Sequence, residues 1–301
     1  MRRKAVQWRT ARLEPGGRWS RWGVWNAGVG ARFGLGPQRP AGRRVPRCGT
    51  GRRLDAGRCD MSDADAAQGI LHFHLPAETG ATQGIPREVH QGAPERALPP
   101  GTSALGLGER RDGLVHVAPG GDPATPAPLL VMLHGAGGTA RHALDLVERH
   151  LPPGLVLLAP ESRRSTWDVI GGGYGPDVAF IGRALEHLAA RHRLDPARLA
   201  VGGFSDGASY ALCLGLINGE VLRHVLAFSP GFAAPTRTQG RPRIYVSHGT
   251  ADEVLPIEAC SRKLVPRLRR AGYEVRYREF AGGHVVPGER VDEALGLFLA
   301  G

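Results

Sequence analysis

Cysteine is scarce in this sequence, and the few cysteines are not spaced as a metal site requires. The chain of 301 residues has four of them, Cys48, Cys59, Cys213 and Cys260. Cysteine zinc sites typically use pairs of ligands about two to four residues apart, and no such pair is present. We therefore expect neither a disulfide framework nor a bound metal ion.

Long apolar runs are also missing. The chain begins with the basic stretch MRRK, but no hydrophobic run long enough for a signal peptide or a transmembrane helix follows it. Neither export through a signal peptide nor a membrane span is therefore expected. The sequence favours a cytoplasmic protein.

Acidic residues are scarce in only one part of the chain. Residues 1–60 hold 15 Lys and Arg but only 3 Asp and Glu, whereas the remaining residues hold 24 basic and 25 acidic ones. The whole excess of positive charge, +11 for the chain, therefore comes from the first fifth. The rest is nearly neutral, so its composition gives no reason to expect a nucleic-acid partner.

The basic leader, residues 1–60, admits three interpretations. It is rich in Arg, Gly and Pro, contains four of the five Trp, and sustains neither a helical nor a strand period. A basic arm that binds nucleic acid, a disordered leader and a misassigned start would each look like this. We favour the third, because Met61 opens a stretch, MSDADAAQGILHFHLP, with the character of a natural beginning. Residues 61–104 then form a Pro- and Gly-rich N-terminal extension.

From residue 105 to residue 301, strand and helix patterns alternate along the chain. Continuous apolar runs predict buried strands, and apolar residues three or four positions apart predict helices. Strands are predicted at 113–118, 128–135, 154–160, 198–204, 223–230, 241–249 and 273–280. Helices are predicted at 140–151, 177–192, 207–218, 257–272 and 289–300, with Pro266 expected to kink or end the fourth, and 75–108 is expected to be irregular. The alternation predicts one α/β domain over 105–301, with a mainly parallel sheet covered by helices on both faces.

The stretch LAVGGFSDGASYAL contains the pattern Gly-x-Ser-x-Gly, with Ser205 between Gly203 and Gly207. Since the chain has 44 glycines, the pattern is informative only in its context. A predicted strand leads into it and a predicted helix leads out of it. This context predicts a sharp strand-to-helix turn that needs small residues on both sides of the serine and exposes its hydroxyl as a nucleophile.

A serine nucleophile needs a base, and the base needs an acid that orients it. In a strand-to-helix turn of this kind, the acid and then the histidine follow the serine in the chain. Asp252 comes directly after a predicted buried strand, and His284 follows the next strand in a glycine-rich loop. The order Ser205, Asp252, His284 therefore predicts a catalytic triad.

Other acids and histidines are weaker candidates for these roles. Asp168 and Asp177 are the rivals of Asp252. His134 precedes Ser205 in the chain, and His134 and His248 each stand before a glycine at a strand end. We expect these two histidines to order loops.

The stretch LHGAGG, residues 133–138, follows the first predicted buried strand, and we call it the oxyanion loop. Its glycines allow backbone N–H groups to face a developing oxyanion. The N–H of Ala136, paired with the N–H of Asp206 after the nucleophile, is the predicted oxyanion hole.

Four stretches together, LHGAGG, GFSDGAS, HGTADEVLP and GGHVVP, resemble the phospholipase/carboxylesterase family of α/β-hydrolases. The branch they resemble is the one near polyhydroxybutyrate-depolymerase-like and feruloyl-esterase-like enzymes. The resemblance covers about 105–301 and implies an α/β-hydrolase fold. It also implies a triad of Ser205, Asp252 and His284, with oxyanion donors at Ala136 and Asp206. The chain departs from the family at Asp206, where many members carry Gln.

The Gly-rich stretch 165–181 lies where this family builds part of its substrate cleft. Trp167 and Tyr174 would there wall an acyl or aromatic pocket. Alternatively, the stretch is a packed surface loop with Asp177 capping the next helix, and the sequence leaves both interpretations open. No segment resembles a large lid, which favours short or soluble acyl esters over bulk lipid.

The sequence therefore predicts a serine hydrolase that cleaves small carboxylic esters through an acyl-Ser205 intermediate, with no cofactor and no metal. A thioesterase or a small peptidase would use the same triad. A non-catalytic binding protein of the same fold is disfavoured, because all three triad positions are filled. The sequence does not indicate an oligomeric state.

Overall fold

The structure of the protein is a computed structural model that describes residues 63–75, 98–122 and 124–300. The predictions made for the basic leader lie outside these residues. Among the residues that are described, no helix is long and apolar enough to cross a membrane.

Eight strands form one sheet. They are β1 (Gly101–Ala104), β2 (Gly113–Val117), β3 (Ala127–Leu133), β4 (Val156–Pro160), β5 (Leu194–Phe204), β6 (His224–Phe228), β7 (Arg243–Gly249) and β8 (Val275–Phe280). Their order across the sheet is β1-β2-β4-β3-β5-β6-β7-β8. The β1–β2 and β2–β4 pairs are antiparallel, and all the others are parallel. The mainly parallel sheet expected from the sequence is confirmed.

Helices lie on both faces of this sheet. They are α1 (Asp63–Ala66), α2 (Ala140–Asp145), α3 (Pro176–Ala189), α4 (Asp206–Ile217), α5 (Ser261–Arg270) and α6 (Gly288–Leu299), with 3₁₀ turns at Glu148–His150 and Asp168–Gly171. Successive side chains of β3 enter two separate cores, because side chains alternate across a strand. Leu129 and Val131 pack with α3, α4 and α5. Leu130 and Met132 pack with α2 and α6 on the other face.

Three elements differ from the sequence predictions. The helix expected over 140–151 ends at Asp145 and is followed by the 3₁₀ turn Glu148–His150, and Val147, which lies between them, is buried. Helix α5 does not end at Pro266 but continues to Arg270, because buried apolar side chains pack on both sides of the proline. Within the stretch expected to be irregular, Gly101–Ala104 is a strand, because it pairs with β2.

The described segment 63–75 packs against the domain that follows it. Ala66 and Leu71 are buried in the same core as α3 and α4. The Leu71 N–H donates to Asn218 Oδ1 at 2.9 Å, and Asn218 Nδ2 donates to the Gly69 carbonyl at 2.9 Å. This segment of the N-terminal extension is therefore held at the end of α4.

Candidate active site

Ser205 occupies a sharp turn between β5 and α4. Its φ of 59° and ψ of −119° lie in a region that non-glycine residues rarely adopt. A side chain at Gly203 would collide with the backbone of Gly207, and one at Gly207 would collide with the Leu133 carbonyl. Both glycines are therefore required, since the strand, the helix and the oxyanion loop pass within contact distance of one another.

The structure brings together the three residues that the chain order predicted as a triad. His284 Nε2 lies 2.9 Å from Ser205 Oγ, and His284 Nδ1 lies 2.6 Å from Asp252 Oδ2. Asp252 follows β7 and His284 follows β8, so all three side chains stand at the carboxyl edge of the sheet. Open α/β sheets place functional groups at this edge.

The Asp252 carboxylate is buried and fixed from two directions. Its Oδ1 accepts the backbone N–H groups of Val254 at 2.9 Å and Leu255 at 2.8 Å. These bonds aim the other oxygen, Oδ2, at His284. This arrangement favours the tautomer in which the imidazole donates its Nδ1–H to Asp252 and leaves Nε2 to accept a hydrogen bond from Ser205.

His248 also reaches the Asp252 carboxylate and is fully buried. Its Nε2–H donates to the Leu255 carbonyl at 2.8 Å and lies 3.2 Å from Asp252 Oδ2, while Nδ1 accepts from Ser261 Oγ at 2.7 Å. Burial lowers the pKa of His248, so the ring stays neutral. It orders the loop after β7, as its position before a glycine predicted.

His134 performs a similar task in the oxyanion loop. Its Nδ1–H donates to the Gly135 carbonyl at 2.7 Å, and its Nε2 accepts the Ser162 N–H at 3.1 Å. Burial is the main cause that lowers the pKa of His134, so it is a neutral structural histidine.

The predicted oxyanion donors belong to the oxyanion loop and to the residue that follows Ser205. A side chain built at Gly135 would lie 3.3 Å from Ser205 Cβ, so the oxyanion loop runs directly against the nucleophile. Within the described part of the chain, no hydrogen bond occupies the backbone N–H of Ala136 or Asp206. Both groups remain available to an incoming oxygen.

The Asp206 side chain points to a residue that sequence reasoning did not select. Its Oδ2 accepts the Thr166 hydroxyl at 2.7 Å. Thr166 is 40 residues away, in the loop that follows β4, and no sequence motif signals such a pairing. The Asp206 carboxylate, which replaces the Gln of many family members, is therefore hydrogen-bonded to Thr166.

Trp167 and Tyr174 both pack against Tyr210, and Trp167 is too deeply buried to form the exposed wall of a substrate pocket. Trp167 is 1% exposed, its Nε1–H donates to the His134 carbonyl at 2.8 Å, and its ring stacks on Tyr210. Tyr174 also stacks on Tyr210, and its hydroxyl donates to the Ala234 carbonyl at 2.8 Å. The alternative interpretation, a packed loop, describes this stretch.

Asp168 and Asp177 hold the base of this loop. Asp177 accepts the backbone N–H groups of Arg163 at 2.6 Å and Asp168 at 2.7 Å, and Asp168 accepts the Asp177 N–H at 3.1 Å. Burial, followed by the nearby Asp177 charge, raises the pKa of Asp168 to about 6. The side chain that accepts a backbone N–H in the first turn of α3 is thus that of Asp168, and not that of Asp177 as predicted. Of the three carboxylates considered as the triad acid, only Asp252 bonds to His284.

Residues 179–296 match the model of the phospholipase/carboxylesterase family. A thermostable esterase is similar in structure, with a TM-score of 0.51 and 22% identity over 62% of this chain and 58% of that chain. The carboxylesterase of Bacillus cereus has a TM-score of 0.48 and 21% identity over 61% of this chain and 92% of its own. The esterase PE8 has a TM-score of 0.49 and 27% identity over 58% of this chain and 93% of its own. No curated protein matches the chain.

These findings confirm the resemblance that the four sequence motifs carry. The chain has the α/β-hydrolase fold, and its residues 179–296 are similar to the phospholipase/carboxylesterase family.

Proposed function

We propose that this hydrolase cleaves carboxylic esters through an acyl intermediate on Ser205. The observation that carries the proposal is the unbroken hydrogen-bonded chain from Ser205 Oγ through His284 to the buried Asp252. His284 Nε2 takes the hydroxyl proton as Oγ attacks the ester carbon, and His284 then protonates the leaving alcohol. Water, activated by the same nitrogen, releases the acid.

Asp252 has an orienting role in this mechanism. By accepting the Nδ1–H, it fixes the productive tautomer and stabilises the imidazolium that forms during attack. The two backbone N–H groups that bond its Oδ1 hold it in place during the cycle.

The N–H groups of Ala136 and Asp206 would stabilise the tetrahedral oxyanion. Each such donor contributes about 10²–10³ in rate. Asp206 is the first residue of α4, so the positive end of the helix dipole adds to its own N–H.

We further propose that the substrates are short or soluble acyl esters. In the described part of the chain, no helical insertion follows a strand to cover the triad, and the His284 side chain keeps 14% of its surface exposed. Val254 and Val285, at 64% and 52% exposure, lie beside the acid and the base. Their small apolar surfaces suit the apolar part of a small ester.

Steady-state hydrolysis of p-nitrophenyl esters tests this proposal. Replacing Ser205→Ala should lower kcat by roughly 10³-fold or more, because the nucleophile is lost. Ser165→Ala, a change to an exposed serine in the neighbouring loop, should retain wild-type activity. Full activity of Ser205→Ala would contradict the mechanism.

The same assay tests the substrate class. Acetyl and butyryl esters should be hydrolysed with higher kcat/KM than palmitoyl esters. Strong preference for the long chain would contradict the proposed substrate. A thioester and an aminoacyl p-nitroanilide, run in parallel, would reveal a thioesterase or a peptidase on the same triad.

A further inference from the structure

A carboxylate next to the nucleophile is a problem for an ester hydrolase. The N–H of Asp206 is the proposed oxyanion donor, so its side chain starts from the same residue that must stabilise negative charge. Two like charges within a few ångström in a partly buried site repel strongly, and a free carboxylate also opposes the helix dipole. The chain therefore needs a means to turn this charge away.

The structure contains such a means in the Thr166 hydroxyl. It donates to Asp206 Oδ2 at 2.7 Å, and both residues are half-buried. A hydrogen bond to a charged acceptor is short and strong, and it offsets part of the carboxylate charge as well as fixing its direction.

Thr166 is itself held rigidly against the oxyanion loop. The residue before it, Ser165, accepts the Gly137 N–H on its carbonyl at 2.7 Å. The residue after it, Trp167, donates its indole N–H to the His134 carbonyl at 2.8 Å. Both partners belong to residues 133–138. Thr166 is thus held at a fixed place beside the oxyanion loop, within hydrogen-bond distance of the Asp206 carboxylate.

We infer that Thr166 is a positioning residue that draws the Asp206 carboxylate away from the developing oxyanion. The inference rests on the proposed function of Ser205, and it explains how this chain keeps an oxyanion hole with Asp after the nucleophile. Thr166 acts through Asp206 and contacts no reacting atom.

Four variants, compared by their kcat, test the inference. Thr166→Val keeps the shape but releases the carboxylate, so kcat for p-nitrophenyl butyrate should fall about tenfold with little change in KM. Thr166→Ser keeps the hydroxyl and should behave as wild type. Asp206→Asn removes the charge but keeps the backbone N–H, and its kcat is the reference for the double variant. In the double variant Thr166→Val/Asp206→Asn, activity should recover to near that of Asp206→Asn, because no charge is left to repel the oxyanion.

A trifluoromethyl ketone gives a readout that loss of structure would not mimic. Ser205 Oγ adds to its carbonyl carbon, the hydroxyl proton passes to His284, and the carbonyl oxygen becomes the anion. The affinity of Thr166→Val for this ketone should fall about as much as kcat, and Asp206→Asn should restore it in the double variant.

Two results would overturn the inference. One is a Thr166→Val enzyme as active as wild type, and the other is a double variant as slow as Thr166→Val alone, which would make Thr166 merely structural. Failure of the proposed function looks different. In that case the wild type itself would form no adduct with the ketone, and the inference would fall with it.

Discussion

Ser205 and Ser229 are the two non-glycine residues with positive φ in the described part of the chain, at 59° and 51°. They follow neighbouring strands β5 and β6 at the carboxyl edge of the sheet. A backbone hydrogen bond fixes each of them. The Ser205 N–H donates to the Phe228 carbonyl at 3.0 Å, and the Ser229 N–H donates to the Ser247 carbonyl at 2.8 Å. Strain of about 1–3 kcal/mol per residue persists only where the surroundings enforce it. The strain at Ser205, whose Oγ lies 2.9 Å from His284 Nε2, agrees with a functional role for this edge.

A buried histidine remote from the triad should make the stability of the protein depend on pH. His224 is 2% exposed, and its ring nitrogens have no hydrogen-bond partner within the described residues. Burial, with the charges of Arg243 and Arg223, lowers its pKa to about 4. In the unfolded chain His224 takes up a proton as the pH falls through about 6.5, whereas in the folded chain it does so only near pH 4. The free energy of unfolding therefore decreases as the pH falls between these two values.

Urea unfolding at pH 7 and pH 5 measures this effect. His224→Leu should reduce the loss of stability between the two pH values by roughly 2 kcal/mol relative to wild type. His74→Leu, a change to an exposed histidine, should leave that loss unaltered. An identical pH dependence in His224→Leu and wild type would show that the ring does not titrate as its burial requires.

At the scale of elements, the buried strands and helices were predictable because their apolar patterns are long. The sequence predicted the apolar elements β3, β4, β6 and α4. Their predicted ends lie within a few residues of the observed ones. The short β1 and α1 did not, since GTSA and DADA carry no apolar pattern of their own. They are elements only because they pair or pack with distant parts of the chain. The course of α5 through Pro266 depends on tertiary packing in the same way.

The attachment of segment 63–75 to the domain gives a prediction at this scale. The buried Asn218 side chain bonds the Leu71 N–H and the Gly69 carbonyl. Asn218→Ala should lower the free energy of unfolding by about 2 kcal/mol, because it leaves both of these backbone groups without a partner. Gln68→Ala, which removes an exposed side chain of the same segment, should change it by less than about 0.5 kcal/mol. Urea unfolding distinguishes the two. Equal stability of Asn218→Ala and wild type would mean that the segment contributes nothing to the fold.

At the scale of the whole molecule, the sheet assembles the site from distant parts of the chain. The strand order places the ends of β5, β7 and β8 along one edge, and each end carries one member of the proposed triad. Residue type and chain order were enough to predict that these three side chains lie together. They were not enough for the Thr166–Asp206 pair or for the burial of Trp167. Both depend on the path of a long loop, which is set by hydrogen bonds to residues far away in sequence.

Labelling with a fluorophosphonate probe, followed by peptide mass spectrometry, tests the central claim most directly. The probe reacts with a serine only where a base activates it and an oxyanion hole accepts the charge. The account predicts that the folded wild type is modified on Ser205 and that Ser205→Ala is not modified. His284→Gln should react more slowly by about 10²-fold or more. A folded wild type that does not react, or one modified on another serine, would contradict the account.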